Sequence, residues 1–184
     1  MSGLVLAPSV TQVVVVPAAP LLLPEHAGQV DAVPDLRAAI RDVLSGLPSD
    51  EVALVPEPAW GRRVGEHLLA NAGLGAATDV LSAQALVVVG DGSARRTEKA
   101  PGYLDDRAAG FDAAIEDALR AGDPAALART DLALGADLLA AGAGVLQELG
   151  AAVVASGRAV TQAELAYADD PFGVRYWVAR WQLG

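Results

Sequence analysis

The apolar run Ala85–Val89 leads directly into Gly90-Asp91-Gly92-Ser93-Ala94-Arg95-Arg96. A glycine-containing loop at the end of a strand lets the backbone approach a ligand closely, and here it is furnished with an acid, a hydroxyl and a guanidinium. Asp91, Ser93 and Arg95 form a candidate floor for a small acidic or carbonyl ligand, with Arg95 as a bidentate anion clamp. The competing reading is structural: Asp91 and Ser93 cap turn amides, and Arg95 pairs with nearby acids. Gly90-x-Gly92 lacks the third glycine, and the helix opening on it, that a dinucleotide fingerprint needs.

Glu57, Asp169 and Asp170 are the next candidates, as a carboxylate cluster for a hard cation or for acid–base work. In an acidic chain the same residues also read as exposed surface acids. The sequence has two histidines. His26 follows "LLLPE" at what reads as the first turn of a helix near the mouth of the site, or as a solvated loop residue. His67, in "RRVGEHLLANAG", reads as a helix-surface side chain. Trp60, Trp177 and Trp181 read as packing residues, and Tyr176, Trp177 and Trp181 would also suit a homo-oligomer contact.

Composition narrows the function classes. The chain has 184 residues, 23 acidic against 13 basic, and a formal charge of −10. Such a balance repels polyanions, so neither nucleic acid nor an anionic membrane is an expected partner. With no cysteine, disulfides, thiolate nucleophiles and Cys-ligated zinc are excluded. The first apolar runs are cut by Pro8, Pro17, Pro20 and Pro24, and no lysine or arginine precedes Arg37. This resembles neither a secretory signal nor a spanning helix, so a cytoplasmic protein is expected.

The elements that must position these residues alternate. "TQVVVVP" reads as a strand buried on both faces, and "VPDLRAAIRDVLSGL" as a helix packing through Leu36, Ile40, Val43 and Leu44. "DEVALVPEP" is a second strand. "GRRVGEHLLANAGLG" is a helix buried through Val64, Leu68 and Leu69, and "AQALVVVGDGS" a third strand. A helix from Asp105 to Gly122 carries Phe111, Ile115 and Leu119, a turn starts at Asp123-Pro124, and one long helix is expected from Asp131 to about Leu149. The tail closes as a strand pair around Asp169-Asp170-Pro171, its last strand near 172–181. The expectation is one α/β domain over 1–184, with a central mostly parallel or mixed sheet flanked by helices. Ligands on such sheets gather beyond the carboxyl ends of the strands, where "PAAP", "PEP", "GDGSARR" and "YADDPFGV" converge.

"LLLPE" after a Pro-rich turn, "GDGSARRTEKAPGYLDDRAAGFDAAIEDALRAGD" and "YADDPFGVRYWVA" together resemble the class III extradiol ring-cleaving dioxygenases of the protocatechuate 4,5-dioxygenase beta-subunit type. They cover about half the chain, in the family's order. The resemblance implies an extradiol dioxygenase-like fold and a ferrous ion held by two histidines and a glutamate, with a further histidine as acid/base. Those histidines are missing. The first falls at Ala18, the second near Glu57, and the acid/base histidine at Ala94; the terminal carboxylate corresponds to Asp169. An alanine neither coordinates iron nor moves a proton.

No catalytic residue, metal ligand or cofactor is therefore expected. The leading reading is a catalytically degenerate relative that serves as a binding or interaction module. The alternatives are an enzyme of another reaction using Arg95, Asp91 and the carboxylates, and a structural or oligomerisation subunit.

Overall fold

The computed structural model describes residues 3–26, 28, 30–48, 50–77 and 80–184. Five strands form one mixed sheet: β1 (Gln12–Val16), β2 (Val52–Pro56), β3 (Ala85–Val89), β4 (Val160–Asp169) and β5 (Tyr176–Leu183), in the order β2-β3-β1-β5-β4. β1 and β2 both pair with β3 in parallel, β5 runs antiparallel to β1, and β4 antiparallel to β5. The expected α/β architecture is present.

The uninterrupted valines of β1 and β3 have a direct cause. Val14, Val16, Val87 and Val89 face one apolar core, whereas Val13, Val15, Leu86 and Val88 face another. A strand covered on both faces needs no polar alternation. On the first face lie α1 (Pro34–Leu44) and α2 (Gly61–Asn71), burying the stripes read from the sequence. On the second lie α3 (Arg107–Ala121), the short α4 (Pro124–Leu127) and α5 (Leu132–Asp137), and α6 (Ala143–Ser156). Trp177 and Trp181 are buried in this second core, and the Trp181 indole donates to Leu119 O at 2.8 Å, tying β5 to α3. Trp60 is 41% exposed.

Two expectations need correction. The segment from Asp131 to Leu149 is not one helix. α5 stops at Asp137, Leu139 takes a left-handed φ of 55°, and α6 restarts at Ala143. The break frees the Leu138 carbonyl to accept the Ala94 amide at 3.0 Å and sets Gly142 against Asp91. The last strand also begins later than expected, at Tyr176. Gly173 and Arg175 pair instead with the loop after β3: Arg175 N donates to Ser93 O, Gly92 N to Arg175 O and Arg96 N to Gly173 O.

α4 crosses α6 at Gly150, where an added Cβ would meet the Pro124 carbonyl at 2.6 Å. Gly144, in the same helix, faces open space. Gly150→Ala should therefore destabilise the protein by about 2–3 kcal/mol through overpacking against backbone. Gly144→Ala should be neutral or stabilising by up to about 1 kcal/mol. Urea denaturation of both variants checks the contrast.

Candidate functional site

The loop after β3 is built by close approach. Gly90 N donates to Val16 O, and a Cβ on Gly90 would lie 2.7 Å from Gly142 Cα. At Gly92 an added Cβ would strike the Trp177 ring and lie 2.7 Å from Asp112 Oδ1. The glycines thus let the chain pass under α6 and beside α3, leaving no room for a ligand to meet their backbone at those points.

Ser93 is fully buried and turned toward α3. Its amide donates to Asp112 Oδ1 at 2.9 Å, and its hydroxyl to Oδ2 at 2.5 Å. Asp112 is 1% exposed. Arg96 Nε lies 3.8 Å from Asp112 Oδ2 and 2.6 Å from Asp170 Oδ2. Burial raises the Asp112 carboxyl above its ordinary range, although the Ser93 hydrogen bonds and the Arg96 and Arg175 charges oppose this. One turn further along α3, Glu116 takes ion pairs from Arg175 and Arg120. Burial would raise Glu116 as well, but there the two arginines prevail and hold it below its usual value. A polar seam therefore joins the loop, α3 and the β4–β5 turn.

Glu57 is 2% exposed and serves as a helix cap. Oε1 accepts the amides of Trp60 and Gly61, and Oε2 that of Ala59 at 2.8 Å. A carboxylate satisfying amides at a helix N-terminus is stabilised by those donors and by the dipole. Asp91 stands at the adjacent strand end, where its Oδ1 accepts the Ala18 amide at 2.7 Å. As a residue Asp91 is only partly covered, but its carboxyl lies among protein atoms. That burial pushes it up to about 7, with the nearby Glu57 charge adding to the rise and the Ala18 amide opposing it.

Register defines what surrounds Asp91. β1 pairs with β5 as far as Val15↔Ala179, and Tyr176, which starts β5 opposite Asp169 of β4, lies close enough to Asp91 to feel its charge. Asp91, Tyr176 and Asp169 thus form a row at the strand ends. Burial raises the Tyr176 phenol, and the Asp91 charge raises it further. Asp169 is exposed, and its Oδ1 accepts the Asp170 amide at 2.8 Å.

The remaining candidates lie apart from this row. Arg95 runs its side chain past Gly102, where an added Cβ would come 2.7 Å from Arg95 Cγ, and its charge helps lower Asp105. Its Nε is buried without a hydrogen-bond partner. His26 ends a 3-10 turn at Pro24–His26, exposed, with its ring edge-on to Trp60 at 6.1 Å between centroids. Glu57 and Asp91 thus stand at adjacent strand ends, Asp169 lies at the opposite outer strand of the sheet, and Ser93, Arg95 and His26 point elsewhere.

The ferrous centre implied by the resemblance does not fit these residues. Ala18 and Ala94 offer methyl groups, and their amides are spent on Asp91 and on the Leu138 carbonyl. Both Glu57 oxygens are taken by backbone. Among the described residues, no three His, Asp or Glu side chains converge as a metal site. The chain matches no protein-family model, and a search of curated proteins returns no match.

Sequence reasoning overlooked Asp112, Arg96 and Glu116. Asp112 carried a usable signal, because it lies four residues after Ala108 and three before Ile115, on the buried stripe of α3. A carboxylate on an apolar stripe requires a buried partner.

Asp91 has a pH consequence. Its folded-state value of about 7 exceeds the ordinary 3.8, so the folded protein binds the proton more tightly than the unfolded chain. The associated stability is fully present below about pH 4 and is lost as pH rises through about 7. Asp91→Asn keeps an acceptor for Ala18 and removes this titration. Relative to the parent, the variant should gain stability between pH 4.5 and 8, by up to about 4 kcal/mol. Urea midpoints across that range measure the gain, and a constant difference between the two proteins would contradict the assignment.

Proposed function

We propose that this chain is a catalytically degenerate relative of the class III extradiol dioxygenases, retaining the α/β scaffold as a binding or interaction module. One observation carries the reading: polar groups at the strand ends are turned inward to hold the fold. Glu57 caps α2, Asp91 accepts the Ala18 amide, and Ser93 is bound to Asp112. The coupling of Ser93 to Asp112 also gives a physical reason for the resemblance to keep the serine loop and the Phe-Asp helix together, since each satisfies the other. Of the three positions matching the family's histidines, Ala18 and Ala94 carry methyl groups and amides with structural partners, and Glu57 is taken up as the cap of α2.

A second reading, an enzyme of a different reaction, is favoured by Asp91. A carboxyl near neutrality at a strand end beside Tyr176 is suited to general acid–base chemistry. Asp91→Asn would abolish such an activity while leaving the fold intact.

The protein should fail to retain stoichiometric ferrous iron after anaerobic loading and desalting, and should consume no dioxygen with protocatechuate or catechol above a protein-free control. Elemental analysis and an oxygen electrode provide the measurements. One iron per chain with substrate-dependent oxygen uptake would overturn the proposal.

A further inference from the structure

α1 and α2 share one face of the sheet but rest on different strands, α1 over β1, β5 and β4 and α2 over β2 and β3. Between them runs a recess of about 200 Å³. Its α1 wall is Arg37, Ile40, Arg41 and Leu44, spaced i, i+3, i+4 and i+7, so one helical stripe supplies both the apolar lining and two guanidiniums. Leu68, Asn71 and Ala72 line it from α2, and Leu22 from the turn after β1. Leu22, Arg37 and Asn71 also line an adjoining recess of about 370 Å³, which adds His26 and His67. The two recesses adjoin at these shared residues, and the groove between α1 and α2 is of a size for a small ligand.

The electrostatics of this groove run against those of the chain. In a protein of net charge −10, its charged lining is Arg37, Arg41 and a single acid, Asp31. Asp31 is paired with Arg37 Nε at 3.2 Å. Arg37 further donates to the carbonyls of Leu21 at 2.8 Å and Leu22 at 3.3 Å, which commits it to holding the loop. Arg41 is different: among the described residues, no hydrogen bond or ion pair engages its guanidinium. An exposed, uncommitted cation thus stands at the rim of a slot lined by Leu22, Ile40, Leu44 and Leu68.

We propose that this groove binds an amphipathic monocarboxylate, with its apolar body between α1 and α2 and its carboxylate on Arg41. A cation would meet the guanidiniums of Arg37 and Arg41, a polyanion would be repelled by the chain's net charge, and a wholly apolar molecule would leave Arg41 unused. A medium-chain carboxylate satisfies both the apolar lining and the charge. The site lies on the helix-covered face and stands independently of the degenerate-dioxygenase reading, whose test concerns iron and oxygen at the strand ends.

Isothermal titration with octanoate and with 1-octanol tests the proposal, using the parent, Arg41→Ala and Ala72→Trp. Ala72 is exposed and lines the groove, so the tryptophan fills it without disturbing the core, and thermal melts verify that both variants are folded. Octanoate should bind the parent saturably and roughly tenfold more tightly than octanol. Arg41→Ala should bring octanoate down to the octanol level, and Ala72→Trp should abolish binding of both. Absence of saturable octanoate binding to the parent, equal affinity for octanoate and octanol, or octanoate binding unchanged in either folded variant would overturn it.

Discussion

The Asp112 carboxylate, buried in the interior and bound by the amide and hydroxyl of Ser93, is the constraint on which the rest of the strand-end architecture depends. A buried carboxylate is costly unless its lone pairs are met, and a buried amide without an acceptor costs about 1–3 kcal/mol. The two groups remove both penalties at once. Their meeting fixes the loop after β3 against α3, and the loop's backbone then pairs with Gly173 and Arg175 to place the start of β5. Arg96 reaches from the same loop to Asp170 and so carries the constraint to the β4–β5 turn.

Residue types that suggest chemistry can therefore be consumed by construction. Glu57 closes the N-terminus of α2, Ser93 closes the buried seam, and the glycines between them permit contacts with Gly142 and Trp177 that a side chain would block. Asp91 differs in that burial raises its carboxyl while leaving the residue partly exposed. The helix-lined face has the opposite character. There α1 and α2 stay on separate halves of the sheet, and Arg41 has no ion-pair or hydrogen-bond partner for its guanidinium among the described residues.

Much of the fold was legible because it follows from local pattern. The valine runs of β1 and β3 follow from cover on both faces, and α1, α2 and α3 announce their buried stripes at helical spacing. What the pattern could not convey depends on distant partners. The break before α6 goes with a bond from Ala94 N to Leu138 O across the fold, and β5 starts at Tyr176 where the preceding residues bond the loop after β3. The site was legible in position more than in role. Arg95 and Arg96 are equivalent by type, but it is Arg96 that reaches Asp170 and Asp112, while Arg95 turns toward Gly102 and Asp105. Asp112 stood on a visible apolar stripe, yet its partner lies nineteen residues earlier, beyond any helical or strand period.

The most direct test of this account is a double-mutant cycle on Ser93→Ala and Asp112→Asn, with unfolding free energies from urea titration at pH 7. If the Ser93–Asp112 pair holds the strand-end loop, each single variant should lose stability, and the double variant should lose less than the sum, with a coupling of about 1–3 kcal/mol. Additive losses, with coupling near zero, would contradict the account and return Ser93 to the candidates for chemistry.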